Sequence, residues 1–176
     1  MPVIKNGELA SDPYRQLADD EPLGEGPVLV SLARLIAEAD ALTARKQPFG
    51  VIVRVGVKMP QDEKSGAAGG EDVEALAPYL ARLSVVAIEF PTFRNGRGYS
   101  SARILREHMG YKGELRAVGE VLRDQWQFMA RCGFDAFELP EGADPQAFGP
   151  ALKELSRAYQ PDALTPTSIM HMRHGK

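Results

Sequence analysis

The 176-residue chain predicts an α/β fold: a five-stranded, mainly parallel sheet with helices on both faces and a short N-terminal hairpin. Three observations lead there. Five short β-branched segments alternate with five segments of helical periodicity. The connections are too long for hairpins, which argues for parallel strands joined by crossovers. The length falls well below the ~250 residues of a full eight-stranded barrel, so an open sheet is preferred and a partial TIM-barrel-like β/α layout is the alternative. The chain suits one core, and a single domain is expected, with residues 1–26 as an N-terminal arm, 27–159 as the β/α core and 160–176 as a tail.

Each element has its own signal. Val3-Ile4, Asn6-Gly7 and Leu9-Ala10 have the form of a hairpin around a type I′ turn, because Asn-Gly accepts positive φ at both central positions. The following DPYRQLADDEPL looks irregular, part of an arm that packs on the domain or frays from it. Val28 to Ser31 is the first core strand, and Leu32, Leu35, Ile36, Ala39 and Leu42 then recur at helical spacing as far as Arg45. Phe49 to Val57 is the second strand. Met59 to Gly70 is polar and glycine-rich, the best candidate for a mobile loop. Val73, Leu76, Leu80 and Leu83 mark a second helix that Pro78 should kink or shift. Ser84 to Phe90 is the third strand, ended by Pro91, and a helix from about Ser100 to Met109 closes at Gly110. Glu114 to Val118 and Asp135 to Leu139 are the last strands, flanking a helix over Glu120–Arg131. Asp144-Pro145 starts a final helix whose buried face is Phe148, Leu152, Leu155 and Tyr159.

Composition narrows the function. No apolar run approaches the ~20 residues of a membrane span, and no basic-then-apolar leader opens the chain, so a soluble, cytoplasmic protein without a membrane partner is expected. A single cysteine, Cys132, supplies neither a dithiol nor the ligands of an iron–sulfur cluster. It should end a helix just before Gly133, where the dipole disfavours a thiolate, and is read as a core thiol; Trp126 is likewise read as core. Met170, His171, Met172 and His174 could hold a soft metal, but without a scaffold no metal is assigned. The net charge of −3 conceals a basic segment: Pro91 to Arg131 has eight Lys/Arg against four Asp/Glu. A local basic segment on an acidic chain suits an anion or partner site better than nucleic acid.

That segment carries the candidate site. In TFRNGRGYSS, Gly96 and Gly98 permit a tight turn, Ser100 or Ser101 can cap the next helix, and Arg94 and Arg97 stand before its free N–H groups. Arg94, Asn95, Gly96, Arg97, Gly98, Tyr99, Ser100, Ser101 and Arg103 are therefore the candidate residues for a small anion (phosphate, sulfate or sulfite) or a partner. A tight turn with a capped helix and exposed arginines would explain the same residues. The segment is neither a GxGxxG fingerprint nor a P-loop. Glu89 and Glu120 are weak catalytic candidates, and Glu89 is better explained as an ion pair with Arg94 or Arg54. In a parallel β/α fold these residues gather at the edge where strands end, with the Ser31 junction, Lys58–Glu71, Phe90–Ser101, Gly119-Glu120 and Pro140–Asp144.

FPTFRNGRGYSSARILRE, GELRAVGEVLRDQ and RCGFDAFEL resemble the signature segments of a bacterial family of uncharacterised proteins described as predicted oxidoreductases. The genes of that family often neighbour assimilatory sulfite reductase. The resemblance spans about Pro27 to Tyr159 and departs at Asn95 and Glu120, where aspartate is expected. It brings no established catalytic residues or cofactor. It implies an accessory protein of sulfite reduction, docking sulfite reductase or an anion through the Arg/Gly-rich loop; the alternative is an oxidoreductase or other enzyme holding a phosphate-bearing cofactor or substrate there. The first β–α junction, VSLARL, lacks dinucleotide glycines and a flavin-phosphate loop, which favours the accessory reading.

Overall fold

Alternating burial along the strands sets the architecture. In the computed structural model, which describes residues 2–56, 70–139, 142–143, 146 and 172–173, β1 (Val3–Lys5) and β2 (Glu8–Ala10) form the expected hairpin. Its turn places Asn6 at φ 52° and Gly7 at φ 85°, the left-handed pair that a type I′ turn requires. Six parallel strands follow: β3 (Arg15–Gln16), β4 (Val28–Ser31), β5 (Phe49–Arg54), β6 (Val85–Phe90), β7 (Glu114–Gly119) and β8 (Ala136–Glu138). The sheet order is β2-β1-β8-β7-β6-β5-β4-β3, with β1 antiparallel to β8.

The α/β class holds, and all five expected strands are present. The sheet nevertheless has eight strands rather than five. The hairpin joins it through β1, and β3 forms in a stretch expected to be irregular. The parallel strands lie in chain order, and the sheet curls into a half-barrel. That order also corrects the expectation of helices on both faces. Doubly wound sheets place helices on two faces by reversing the strand order at a switch point, and no reversal occurs here.

The side-chain record agrees. Val30, Val51, Val53, Val86, Ile88, Phe90, Leu115, Ala117 and Phe137 belong to one large core cluster with the buried helical residues Leu35, Leu42, Leu105, Trp126 and Met129. The alternate strand residues Leu29, Ile52, Val85 and Ala87 form a small second cluster with Tyr14 and Val118 and no helix. Among the described residues, the helices thus cover one face and leave the other concave.

The helices are shorter than periodicity alone suggests. The segment after β4 divides into α1 (Leu32–Ala37) and α2 (Ala39–Ala44), broken where Glu38 takes φ −111° and ψ 25°. Ser31 caps α1 by accepting a hydrogen bond from the Arg34 N–H at 3.1 Å. The second expected helix is a single 3₁₀ turn, Val73–Leu76, consistent with a proline ring at residue 78 that opposes helical continuation. Helix α3 (Arg97–Arg103) runs into a wider π-turn, Ile104–His108. A 3₁₀ turn over Arg123–Gln125 leads into α4 (Trp126–Cys132).

The concave face is plugged by the chain itself. Asp12 accepts two hydrogen bonds from the buried Arg116 guanidinium, at 2.7 and 3.1 Å, and Arg116 also pairs with Glu114 at 2.6 Å. Tyr14 lies over the same guanidinium, 5.7 Å from ring centroid to Cζ. The N-terminal arm is thereby packed, because it neutralises a charge that β7 directs into the half-barrel. The final helix, most of the glycine-rich loop and the tail residues Met170, His171 and His174 lie outside the described residues.

Candidate functional site

The parallel strands end at one edge of the half-barrel, and two adjoining hollows open there on the concave face. One, of about 260 Å³, is lined by Gln16, Ile52, Arg54, Glu89, Val118, Gly119, Glu138 and Leu139. The other, of about 510 Å³, shares Gln16, Ile52 and Arg54 and adds Asp19, Glu21 and Ser31. Strand register explains the lining: Arg54 is paired with Glu89, and Glu89 with Val118, so all three side chains fall in one row on the helix-free face.

The row is held by specific contacts. Arg54 Nε donates to Glu89 at 3.0 Å, which makes Glu89 a partner of Arg54, one of the two expected arginines. The backbone N–H of Arg54 donates to the Glu71 carboxylate at 2.6 Å, and the Glu71 N–H returns a bond to the Arg54 carbonyl at 2.9 Å. Burial pushes the Glu71 carboxyl above its ordinary range, against the Arg54 N–H bond that lowers it. Ser31 donates to Asp19 at 2.6 Å. Glu138 is half-buried and its backbone pairs with Val3, while its carboxylate has no hydrogen bond among the described residues; burial raises its carboxyl too, opposed by the chain's amino terminus and Arg116. Sequence reasoning missed Gln16, Asp19, Arg54 and Glu138 as lining residues. The alternation in β5 and β8 could have offered Arg54 and Glu138, had the concave face been known to lack helices; Gln16 and Asp19 lie in a stretch expected to be irregular.

The Arg/Gly-rich loop is arranged differently. Helix α3 begins at Arg97 behind Gly96, so Ser100 and Ser101 lie within the helix instead of capping it. Gly96 is the cap position, with no side-chain cap bond; Asn95 closes the turn before it, its Oδ1 accepting from the Arg97 N–H at 3.1 Å while its Nδ2 donates to the Val55 carbonyl at 3.4 Å. Gly98 is buried against Phe90, whose ring leaves no room for a Cβ there. Tyr99 packs edge-on to Phe90 at 5.5 Å and against Phe128 at 5.0 Å. Arg103 pairs with Glu107 at 3.0 Å. Gly98 and Tyr99 therefore contribute to helix–sheet packing, and Arg94 is left exposed, stacked 5.4 Å over Phe93. Glu120 is exposed and lies outside the hollows; its N–H donates to the Phe90 carbonyl.

An apolar surface accompanies that loop. Phe93, Leu122 and Phe128 are 41%, 43% and 53% exposed. Gln125 joins two of their segments by donating to the Phe93 carbonyl at 2.8 Å. Leu122, Gln125 and Phe128 recur every third residue across the 3₁₀ turn and α4, so they follow one side of that element. A continuous helix over Glu120–Arg131 would have put Leu122 on the face of Trp126 and Met129. Leu122 is exposed because the 3₁₀ turn begins only after it and shifts the phase.

Trp126 and Cys132 are buried in the main core, with Trp126 stacked on Phe137 at 4.5 Å. Among the described residues no group of three or more His, Cys, Asp or Glu side chains could hold a metal ion, and no helix is long and apolar enough to cross a membrane.

A family model, bacterial protein of unknown function (DUF934), matches residues 67–170, more than half of the chain. The chain belongs to this family. All three segments that carry the resemblance fall inside the matched span, as do the Arg/Gly-rich loop, β6, β7, β8 and the exposed aromatic surface. Residues lining the hollows from β3, β4 and β5 precede it, so the site combines strands from within and outside the matched region. No curated protein and no solved structure matches the chain.

Proposed function

We propose that the protein is an accessory factor of assimilatory sulfite reduction that docks a protein partner through the surface formed by Phe93, Arg94, Leu122 and Phe128. One observation carries the docking: large apolar side chains stand exposed together on the basic segment of an otherwise acidic chain. Surfaces of this type, aromatic with arginine at the rim, are characteristic of interface cores. The link to sulfite reductase rests on the family resemblance. The contacts of Gly98 and Tyr99 with Phe90 support docking over a phosphate cradle, because they commit those residues to packing.

The test is co-purification of sulfite reductase with the tagged full-length chain, followed by direct binding of the purified components. Phe128→Asp and Arg94→Glu, both at exposed positions, should each weaken the complex by about tenfold or more, equivalent to about 1.4 kcal/mol. Arg94→Glu should melt at the parent temperature, whereas Phe128→Asp loses its ring contact with Tyr99 and should melt slightly lower while remaining folded by circular dichroism. If sulfite reductase is not recovered, or if both variants bind like the parent, the reading fails.

A further inference from the structure

Asparagine occurs at two positions in the chain, Asn6 and Asn95, and glycine follows it both times. Asn-Gly is the dipeptide most prone to cyclise, because glycine has no Cβ to shield its backbone nitrogen from the neighbouring carboxamide. The glycine nitrogen attacks the asparagine Cγ, the Cγ–Nδ2 bond breaks, and ammonia leaves with the proton that the glycine nitrogen gives up. Water then opens the succinimide ring to aspartate or to isoaspartate. The reaction needs an accessible carboxamide, an uncommitted glycine N–H and a backbone that can turn one toward the other.

The fold treats the two dipeptides differently. Asn6 is exposed, and among the described residues neither its side chain nor the Gly7 N–H makes a hydrogen bond. The Asn6 backbone N–H is held by the Asp135 carbonyl at 2.9 Å, which fixes the side of the dipeptide toward β1. The other side leads into β2, an edge strand of three residues that pairs with β1 alone and is exposed or half-exposed throughout. Swinging Gly7 into reach of the Asn6 Cγ therefore disturbs only that edge, and short exposed elements open locally at low cost.

Asn95 is half-buried. Its Oδ1 accepts from the Arg97 N–H and its Nδ2 donates to the Val55 carbonyl, and the carboxamide packs on Gly56. Gly96 leads directly into α3, which is seated on the sheet by the contact of Gly98 with Phe90. Cyclisation at Asn95 would break both side-chain bonds and displace the start of that helix.

We propose that Asn6-Gly7, at the tip of the N-terminal hairpin, is a site of spontaneous deamidation and isoaspartate formation, and that packing protects the same dipeptide in the Arg/Gly-rich loop. The modification is independent of the docking surface and of the sulfite reductase reading.

The test is incubation of the full chain at mildly alkaline pH, followed over time by mass spectrometry of proteolytic peptides, with a parallel sample unfolded in urea. In the folded protein Asn6 is expected to convert about tenfold or more faster than Asn95, a difference that should vanish in urea because it comes from local structure. A protein isoaspartate methyltransferase should label the aged protein in the Asn6 peptide. Asn6→Gly, which suits the left-handed backbone there, should abolish the label while circular dichroism shows the parent fold. Comparable or faster conversion at Asn95 in the folded protein would overturn the proposal, as would an unchanged Asn6 over an interval that converts the unfolded chain.

Discussion

Glu138 shows how a single residue can be costly to the fold. Its carboxyl is raised above the usual range chiefly by burial, with Asp12 and Glu89 adding to the shift and the amino terminus and Arg116 opposing it. A raised folded-state value means that the native protein holds this proton more tightly than the unfolded chain. The ionised group therefore costs stability at neutral pH, and the cost disappears as pH falls below the unfolded carboxylate value of ~4.3. Glu138→Gln should raise the melting temperature at pH ~7 and lose that advantage near pH ~4. Parallel thermal melts of parent and variant check it; an advantage that does not change with pH would contradict the burial argument. That Glu89 pairs with an arginine was legible in sequence, since a carboxylate near a strand end needs a partner, but the choice of Arg54 over Arg94 was made by strand register. Glu138 was not, because its burial depends on neighbours distant in sequence.

At the scale of elements, the basic segment is divided by what its arginines do. Arg106 donates to the carbonyls of Gly133, Tyr111 and Gly113 and to the Asp135 carboxylate, at 2.8 to 2.9 Å, and its side chain is only 16% exposed. It joins the π-turn after α3 to the turn that follows α4. Arg106→Ala would leave Asp135 and these carbonyls without that donor, and a loss of about 2–3 kcal/mol in urea unfolding is expected. A loss below about 0.5 kcal/mol would place Arg106 with ordinary surface arginines. Sequence patterns located every core strand to within a few residues, because burial on a sheet imposes its own alternation. Helix starts were less legible. The beginning of α3 at Arg97 depends on Asn95 reaching both Val55 and the Arg97 N–H, and the phase of α4 on a 3₁₀ turn that periodicity does not encode.

For the whole molecule, the N-terminal arm is the unexpected structural contributor. It supplies the hairpin that extends the sheet beyond β8, the Asp12 carboxylate that helps neutralise buried Arg116, and the Tyr14 ring that covers the second apolar cluster. Deleting residues 2–14 should uncover Leu29, Ile52, Val85 and Ala87 and leave Arg116 with Glu114 as its remaining carboxylate partner. Increased binding of a hydrophobic dye and a broadened, less cooperative melt are expected; a sharp melt at the parent temperature would show that the arm is dispensable. The sequence by itself determined the α/β class, the hairpin, the parallel core strands and the basic segment, because periodicity, turn residues and charge are local properties. Only the tertiary structure decided that the strands curl in chain order with the described helices on one side. Strand order and the covering of a face depend on contacts between distant segments, and those contacts turned the alternate residues of β5, β6 and β8 into the lining of an acidic hollow.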